Sequence, residues 1–230
     1  MWRRMLTYIV RNRKIVGRSM RSVAIGFVVF IVAGNLTILG ANLIARAMLE
    51  APTTPSLPGI ANLEAVDDHV WRGAAPSETG YRALASHGVG TVVDLRAEED
   101  VAVDEQLLKE LDIDFVSIPL RDGQTPTPGQ VGEFLAQVRK TDKRVFVHCG
   151  AGVGRTGTMA ASYLVSSGQA EPLEALGRNL AVGPPSLEQI TFVADLAGRG
   201  AERPPAMISF VSRILDGPRR AWVHLSSAYE

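Results

Sequence analysis

The sequence predicts an α/β domain, a central mixed and mostly parallel sheet flanked by helices, preceded by one transmembrane helix. Three observations predict it. From residue 64 onward, short apolar runs alternate with segments of helical character, the pattern of a sheet covered by helices. One such run, Lys143-Arg144-Val145-Phe146-Val147, leads into a glycine-rich stretch, His148-Cys149-Gly150-Ala151-Gly152-Val153-Gly154-Arg155-Thr156-Gly157, followed by Met159 to Val165, which can form one face of a helix. Far upstream, Val23 to Ala45 runs 23 residues without a charge, long enough to cross a hydrocarbon core of roughly 30 Å.

Taken in order, residues 1–22 form a basic segment with seven cations (Arg3, Arg4, Arg11, Arg13, Lys14, Arg18 and Arg21) and no acid. The apolar span, 23–45, contains Asn35, Thr37 and Asn42 together with Gly26, Gly34 and Gly40, and glycines are ordinary in membrane helices. Residues 46–63 read as a linker, stiffened by the prolines of Ala51 to Pro58. Residues 64–200 make the main domain, with strands expected near 69–72, 91–95, 113–118 and 144–148. Helices are expected near 78–87, 98–111, 127–140, 155–167, 171–180 and 186–198. Residues 201–230 form a helical extension in which Ala206 to Leu215 is apolar enough to pack or to meet a membrane surface, packing being the simpler reading.

The formal net charge of zero conceals an asymmetry. Seven cations lie in the first 22 residues, so the remainder carries 17 basic against 24 acidic residues, a net of −7. An acidic domain excludes nucleic acid as the expected partner. Basic residues before the span and acids after it (Glu50, Asp67, Asp68) keep the N-terminus in the cytoplasm and send the domain outward by the positive-inside rule. A single free thiol in an oxidising compartment argues the other way.

The glycine-rich stretch carries the chemistry. A loop between a strand and a helix N-terminus turns backbone amides inward and binds an oxyanion with the help of the helix dipole. The same field stabilises a thiolate, so a cysteine at the first loop position is placed to be a nucleophile. The sequence His148-Cys149, with Gly152, Arg155, Thr156 and Gly157 at fixed spacing, resembles the signature loop of the cysteine-dependent protein tyrosine phosphatase superfamily. An inert buried cysteine would not require an arginine six residues on with glycines between.

The resemblance implies a protein tyrosine phosphatase-like fold over roughly residues 64–198 and assigns roles. Cys149 would attack phosphorus and carry a covalent phosphate. Arg155 would grip two phosphate oxygens with its planar fork. The backbone of Gly150, Ala151, Gly152, Val153 and Gly154 would line the phosphate, the glycines permitting the required turns. Thr156 would donate to the departing thiolate, and His148 would orient the loop and help hold the thiol ionised. The branch resembled is that of the atypical dual-specificity enzymes, through Val70-Trp71-Arg72-Gly73-Ala74-Ala75-Pro76-Ser77 and Thr91-Val92-Val93-Asp94-Leu95-Arg96. In that likeness Arg96 sits where it can face the phosphate.

Expelling an alkoxide or phenoxide needs a general acid. The turn-rich Arg121-Asp122-Gly123-Gln124-Thr125-Pro126 follows a strand-like run and resembles the family's acid loop, which nominates Asp122; Asp114 and Asp94 are the fallbacks. Gln189, in a stretch resembling the family's last loop and helix, is a weaker choice for positioning the hydrolytic water.

The expected activity is hydrolysis of phosphomonoesters on tyrosine or mixed phosphoprotein substrates, with no metal or cofactor. An inositol phosphate or phospholipid head group is the alternative substrate, suggested by the anchor, although the loop interior has no lysine to favour highly phosphorylated ligands. A silent phosphate-binding module and a sulfur-transferring cysteine loop fit less well, because Arg155, Thr156-Gly157 and a plausible acid are all present. The sequence leaves the oligomeric state open.

Overall fold

The computed structural model describes residues 2–49, 56–97, 105–199 and 204–226, with side chains described for 20–49, 56–97, 105–198 and 204–218. The chain forms two compact units, Met1–Leu39 and Gly40–Glu230. Helix α1 (Trp2–Met48) makes up the first and contributes its last two turns to the second.

In the first unit, Val23, Ile25, Phe27, Val28, Val29 and Phe30 are all exposed. The stretch Met20–Met48 contains an 18-residue window with a mean hydropathy of 2.3 and is long enough to cross a membrane. Two of its polar side chains bond back to the helix itself. Asn35 Nδ2 donates to Ile31 O at 2.9 Å, and Thr37 Oγ1 donates to Ala33 O at 2.9 Å. Back-bonding of this kind removes most of the penalty that a polar side chain carries in lipid.

The second unit is built on five strands: β1 (Glu64–Ala65), β2 (Val70–Ala74), β3 (Val89–Arg96), β4 (Asp114–Leu120) and β5 (Arg144–Cys149). Their order is β1-β2-β5-β3-β4, with β1 antiparallel to β2 and the other pairs parallel. The sheet is therefore mixed and mostly parallel, as its sequence pattern predicts. Only β1 is unforeseen, since a two-residue strand has no readable period.

Side-chain alternation divides the core. On one face, Val70, Val93, Val145 and Val147 pack with Phe134 of α4 (Pro128–Lys140), Met159 and Leu164 of α5 (Gly154–Ser166), and Phe192 of α7 (Leu187–Ala194). On the other face, Trp71, Val92 and Phe146 pack with Tyr81 and Leu84 of α2 (Glu78–Ser86) and with Leu107 and Leu108 of α3 (Glu105–Glu110). Each such large side chain contributes about 1.5–3 kcal/mol on full burial. Leu57 and Ile60, within the expected linker, belong to this second cluster. The first part of the helix expected near 98–111 lies outside the described residues, as do residues 51–55 of the linker.

Local signals set the helix starts. Thr127 and Ser186 form capping boxes with Gln130 and Gln189, and Pro128 follows Thr127 at the first helical position. Helix α6 (Pro172–Val182) is closed at its C-terminus by two residues of α1. Asn42 Nδ2 donates to Leu180 O, while Arg46 donates through Nε to Ala181 O and through Nη2 to Val182 O, each at 2.8 Å. A cation on terminal carbonyls matches the negative end of the helix dipole.

After the short α8 (Leu196–Arg199), the C-terminal extension forms α9 (Ala206–Ser226). It packs on α7: buried Ser212 accepts the Glu188 N–H at 3.1 Å and donates to Asp216, and Leu215 is buried beside them.

Candidate active site

β5 is the central strand, and its carboxyl end carries Cys149, the position where open parallel sheets place their ligands. The loop that follows runs from Cys149 into α5, whose first residues are Gly154 and Arg155. Cys149 and Arg155 are buried to 3% and 5% exposure, at the floor of the loop. Gly152 has a φ of +73°, and a β-carbon there would overlap the Gly73–Ala74 backbone of β2. Only glycine meets both conditions. A β-carbon at Gly157 would likewise strike Asn179 of α6.

Arg155 is reached by the loop after β4. Its Nη1 donates to Leu120 O at 3.1 Å, and its Nε lies 3.6 Å from Asp122 Oδ1. The structure thus brings Asp122, 54% exposed, to the guanidinium expected to hold phosphate. The fallback acids are placed elsewhere. Asp114 starts β4, at the end of the sheet remote from the loop, and Asp94 is buried in an ion pair.

The acid loop is docked on α7. Ser186 Oγ donates to Gly123 O at 2.9 Å, Gln189 Nε2 donates to Gln124 O at 3.1 Å, and Thr125 Oγ1 donates to Glu188 Oε1 at 3.4 Å. Gln189 Oε1 also accepts the Ser186 N–H, and its amide fills the space beside Gly154. One end of this amide thus caps its own helix and the other holds the loop after β4, with the phosphate loop alongside.

Arg96 is seated on Asp94. Nε lies 3.0 Å from both carboxylate oxygens, and Nη2 donates to Oδ2 at 2.7 Å. A phosphate would have to compete with that carboxylate for its guanidinium. Thr156 is fully buried, and its hydroxyl makes no hydrogen bond to the protein, so its proton is uncommitted.

His148 is fully buried, stacked on Phe146 at 5.8 Å between ring centroids. Its Nδ1 faces Cys149 O at 3.3 Å, and since a carbonyl only accepts, the proton sits on Nδ1. Burial pushes its pKa down to about 4, against the pull of Asp94 3.8 Å away. His148 therefore faces the Cys149 carbonyl as a neutral ring, not as a cation beside the thiol.

A depressed histidine pKa makes stability acid-sensitive. The unfolded chain binds the proton near pH 6.5 and the folded chain only near 4. The His148 contribution is fully present above pH 6.5, and about 3 kcal/mol is lost as the pH falls to 4. Urea unfolding of His148→Gln should show a flatter stability profile between those pH values than the native chain. Parallel profiles would refute the assignment.

Sequence reasoning passed over Asn62 and Arg72, which hold the loop from outside, and Glu64 and Asn179, which hold Arg72. Arg72 is 2% exposed on β2, and its Nη2 donates to Gly152 O at 2.8 Å, Val153 O at 3.2 Å and Asn179 Oδ1 at 3.2 Å. Its Nη1 lies 3.6 Å from Glu64. Burial lowers the Arg72 pKa, opposed by Glu64 and then Cys149, and burial raises that of Glu64, opposed by Arg72. The one available signal was a charged residue inside a wholly buried strand, Val-Trp-Arg-Gly-Ala.

A mostly parallel sheet flanked by helices, with a thiol and an arginine bracketing a glycine-rich loop at its carboxyl edge, defines a cysteine-dependent phosphatase domain. Residues 55–195 match the family described as DSP-PTPase phosphatase fused to NAD+ kinase, and the chain belongs to that family. It is 31% identical over 144 residues to the probable chloroplastic NAD kinase 2 of Oryza sativa subsp. japonica, a match covering 57% of this chain and 15% of that protein. The chain thus spans a small part of the length of that curated relative. Among solved structures, TpbA of P. aeruginosa is 22% identical with a TM-score of 0.52, covering 74% of this chain and 98% of that one. PTPMT1, solved in complex with PI(5)P, is 21% identical with a TM-score of 0.51, covering 58% and 92%. At these identities the two structures share the fold.

Proposed function

We propose that the chain hydrolyses phosphomonoesters through a cysteinyl-phosphate intermediate. The approach of Asp122 to Arg155, at the mouth of a loop floored by Cys149, carries this reading. The Cys149 thiolate attacks phosphorus and the P–O bond to the leaving group breaks. Asp122 delivers its proton to the departing oxygen, and Arg155 with the loop amides holds the equatorial oxygens. Water then attacks the thiophosphate, releasing inorganic phosphate, with Asp122 accepting a proton and the Thr156 hydroxyl donating to the thiolate as it leaves. Gly150, Ala151, Gly152, Val153 and Gly154 bind phosphate through their backbone N–H groups, and His148 orients the loop.

Phosphotyrosine or mixed phosphoprotein is the substrate class favoured by a loop without lysine. A phosphorylated lipid head group is the second reading, supported by the apolar helix that would keep the enzyme at a bilayer. The basic N-terminal segment favours a cytoplasmic N-terminus with the domain outside, and protease accessibility in intact cells tests that orientation.

Replacing Asp122 with Asn should lower kcat by about 100- to 10,000-fold for an alkyl phosphate, whose leaving group needs the proton. For a nitrophenyl phosphate the loss should be far smaller. Steady-state kinetics on the two esters check this, and equal losses would remove Asp122 as the acid. A panel of phosphopeptides and phosphoinositides in micelles decides between the substrate classes.

A further inference from the structure

The carbonyls of the phosphate loop are held one after another from outside. His148 Nδ1 faces Cys149 O at 3.3 Å, and the Ala75 N–H donates to Gly150 O at 3.1 Å. Asn62 Nδ2 donates to Ala151 O at 2.9 Å, and Arg72 Nη2 takes the next two, Gly152 O and Val153 O. A peptide unit is planar and trans, so the N–H of each following residue points opposite to the carbonyl before it. Fixing the carbonyls of 149–153 outward therefore aims the N–H groups of Gly150, Ala151, Gly152, Val153 and Gly154 at one point inside the loop.

Three of these holders come from the segment around β1 and β2, not from the loop, and Arg72 alone orients two peptide units. It lies in register with Val147, two residues before the pairing of Ala74 with Cys149, so β2 carries it directly beneath the loop. Its own position is fixed by Asn179 and Glu64. A cavity of about 10 Å3, with room for one water, adjoins Glu64, Arg72 and Asn179, where Glu64 Oε2, Arg72 Nε and Asn179 Nδ2 are buried without hydrogen-bond partners. Gly157 leaves the space in which Asn179 sits. A second buried cation thus lies behind the loop, on the far side of the peptide units from the anion.

We propose that Arg72 is a positioning residue of the phosphatase reaction: by holding the Gly152 and Val153 carbonyls it keeps the Val153 and Gly154 amides aimed at the phosphate. The proposal rests on the hydrolase reading above. Lysine cannot reproduce it, because one ammonium on a flexible stem does not match the fixed fork of a guanidinium.

The test uses the full-length protein in detergent micelles, comparing Arg72→Met and Arg72→Lys with the native chain. Inorganic phosphate affinity is measured by calorimetry, kcat and KM with aryl phosphates of good and poor leaving groups, and folding by circular dichroism. In folded Arg72→Met, phosphate binding and kcat/KM should each fall on the order of 10- to 100-fold, as when a supporting partner of an active site is removed. The fall should be the same for both leaving groups, because the acid is untouched, and Arg72→Lys should recover only part of it. A folded Arg72→Met with native phosphate affinity, or a loss that depends on the leaving group, overturns the proposal. If Arg72→Met does not fold, Asn62→Ala and Asn179→Ala should each weaken phosphate binding by about three- to tenfold, the worth of one hydrogen bond. Native affinity in both overturns it equally. Phosphate binding is read without turnover, so a native chain that binds phosphate but hydrolyses no ester refutes the hydrolase reading while the Arg72 effect is still measured.

Discussion

Cys149→Ser should abolish turnover, lowering kcat by about 10,000-fold or more while leaving phosphate binding close to native. The hydroxyl is a far weaker nucleophile than a thiolate, because it holds its proton far more tightly than a thiol does. The ligand contacts survive because they come from the loop amides and Arg155, which the substitution does not touch. Single-turnover kinetics should show no burst in the variant, and acid-quenched native enzyme should carry a thiophosphate on Cys149. Measurable turnover in Cys149→Ser would refute covalent catalysis at this residue, and a large loss of phosphate affinity would mean that the loop had changed shape.

Arg155→Lys should lower kcat by about 1,000-fold and weaken phosphate binding as well. Arg155 is buried at the start of α5, with Nη1 on Leu120 O and Nε facing Asp122. Its fork can hold two equatorial oxygens while charge builds on them, a contribution commonly worth about three to five orders of magnitude in phosphoryl transfer. A lysine offers a single point charge and loses the anchor to Leu120, so the acid loop is loosened at the same time. The variant should therefore be impaired on good and poor leaving groups alike, with an added loss on poor ones. Kinetics across a leaving-group series checks this. A variant within tenfold of native would mean that phosphate is held elsewhere in the site.

The loop proposed to supply the acid is held by parts far apart in the chain. Asp122 sits on a loop whose next residues, Gly123, Gln124 and Thr125, are each bonded to α7, and α7 is in turn bonded to α9 through Ser212. The C-terminal extension is thereby tied to the element that carries the acid loop, although it contributes nothing to the loop's sequence.

The β5–loop–α5 unit was legible because its signals are local: a short apolar run, glycines, and a thiol and guanidinium at fixed spacing. The sheet followed from apolar runs of strand length, and β1 escaped because two residues carry no period. The partner of Arg96 was not legible: its place at the end of β3 suggested the phosphate, and the structure adds that Asp94, two residues earlier on the same side of the strand, holds the guanidinium. Nor did the sequence show that Gln189 ties the N-terminus of α7 to Gln124 of the loop after β4.

The sequence by itself determined the α/β class, the position of the thiol at the carboxyl end of a strand, and an apolar N-terminal helix. These follow from periodicity, chain length and residue chemistry, all of which act over a few neighbours. Only the tertiary structure decided that Asp122 meets Arg155 and that Asn62 and Arg72 hold carbonyls some 80 to 90 residues away, with Asn179 bracing Arg72 from 107 residues further on. Those contacts have no period and no spacing rule. The contacts of Arg72 exist because β2 lies beside β5 in the sheet and α6 packs against α5, which brings Arg72 and Asn179 into one buried space behind the loop, where polar groups need partners.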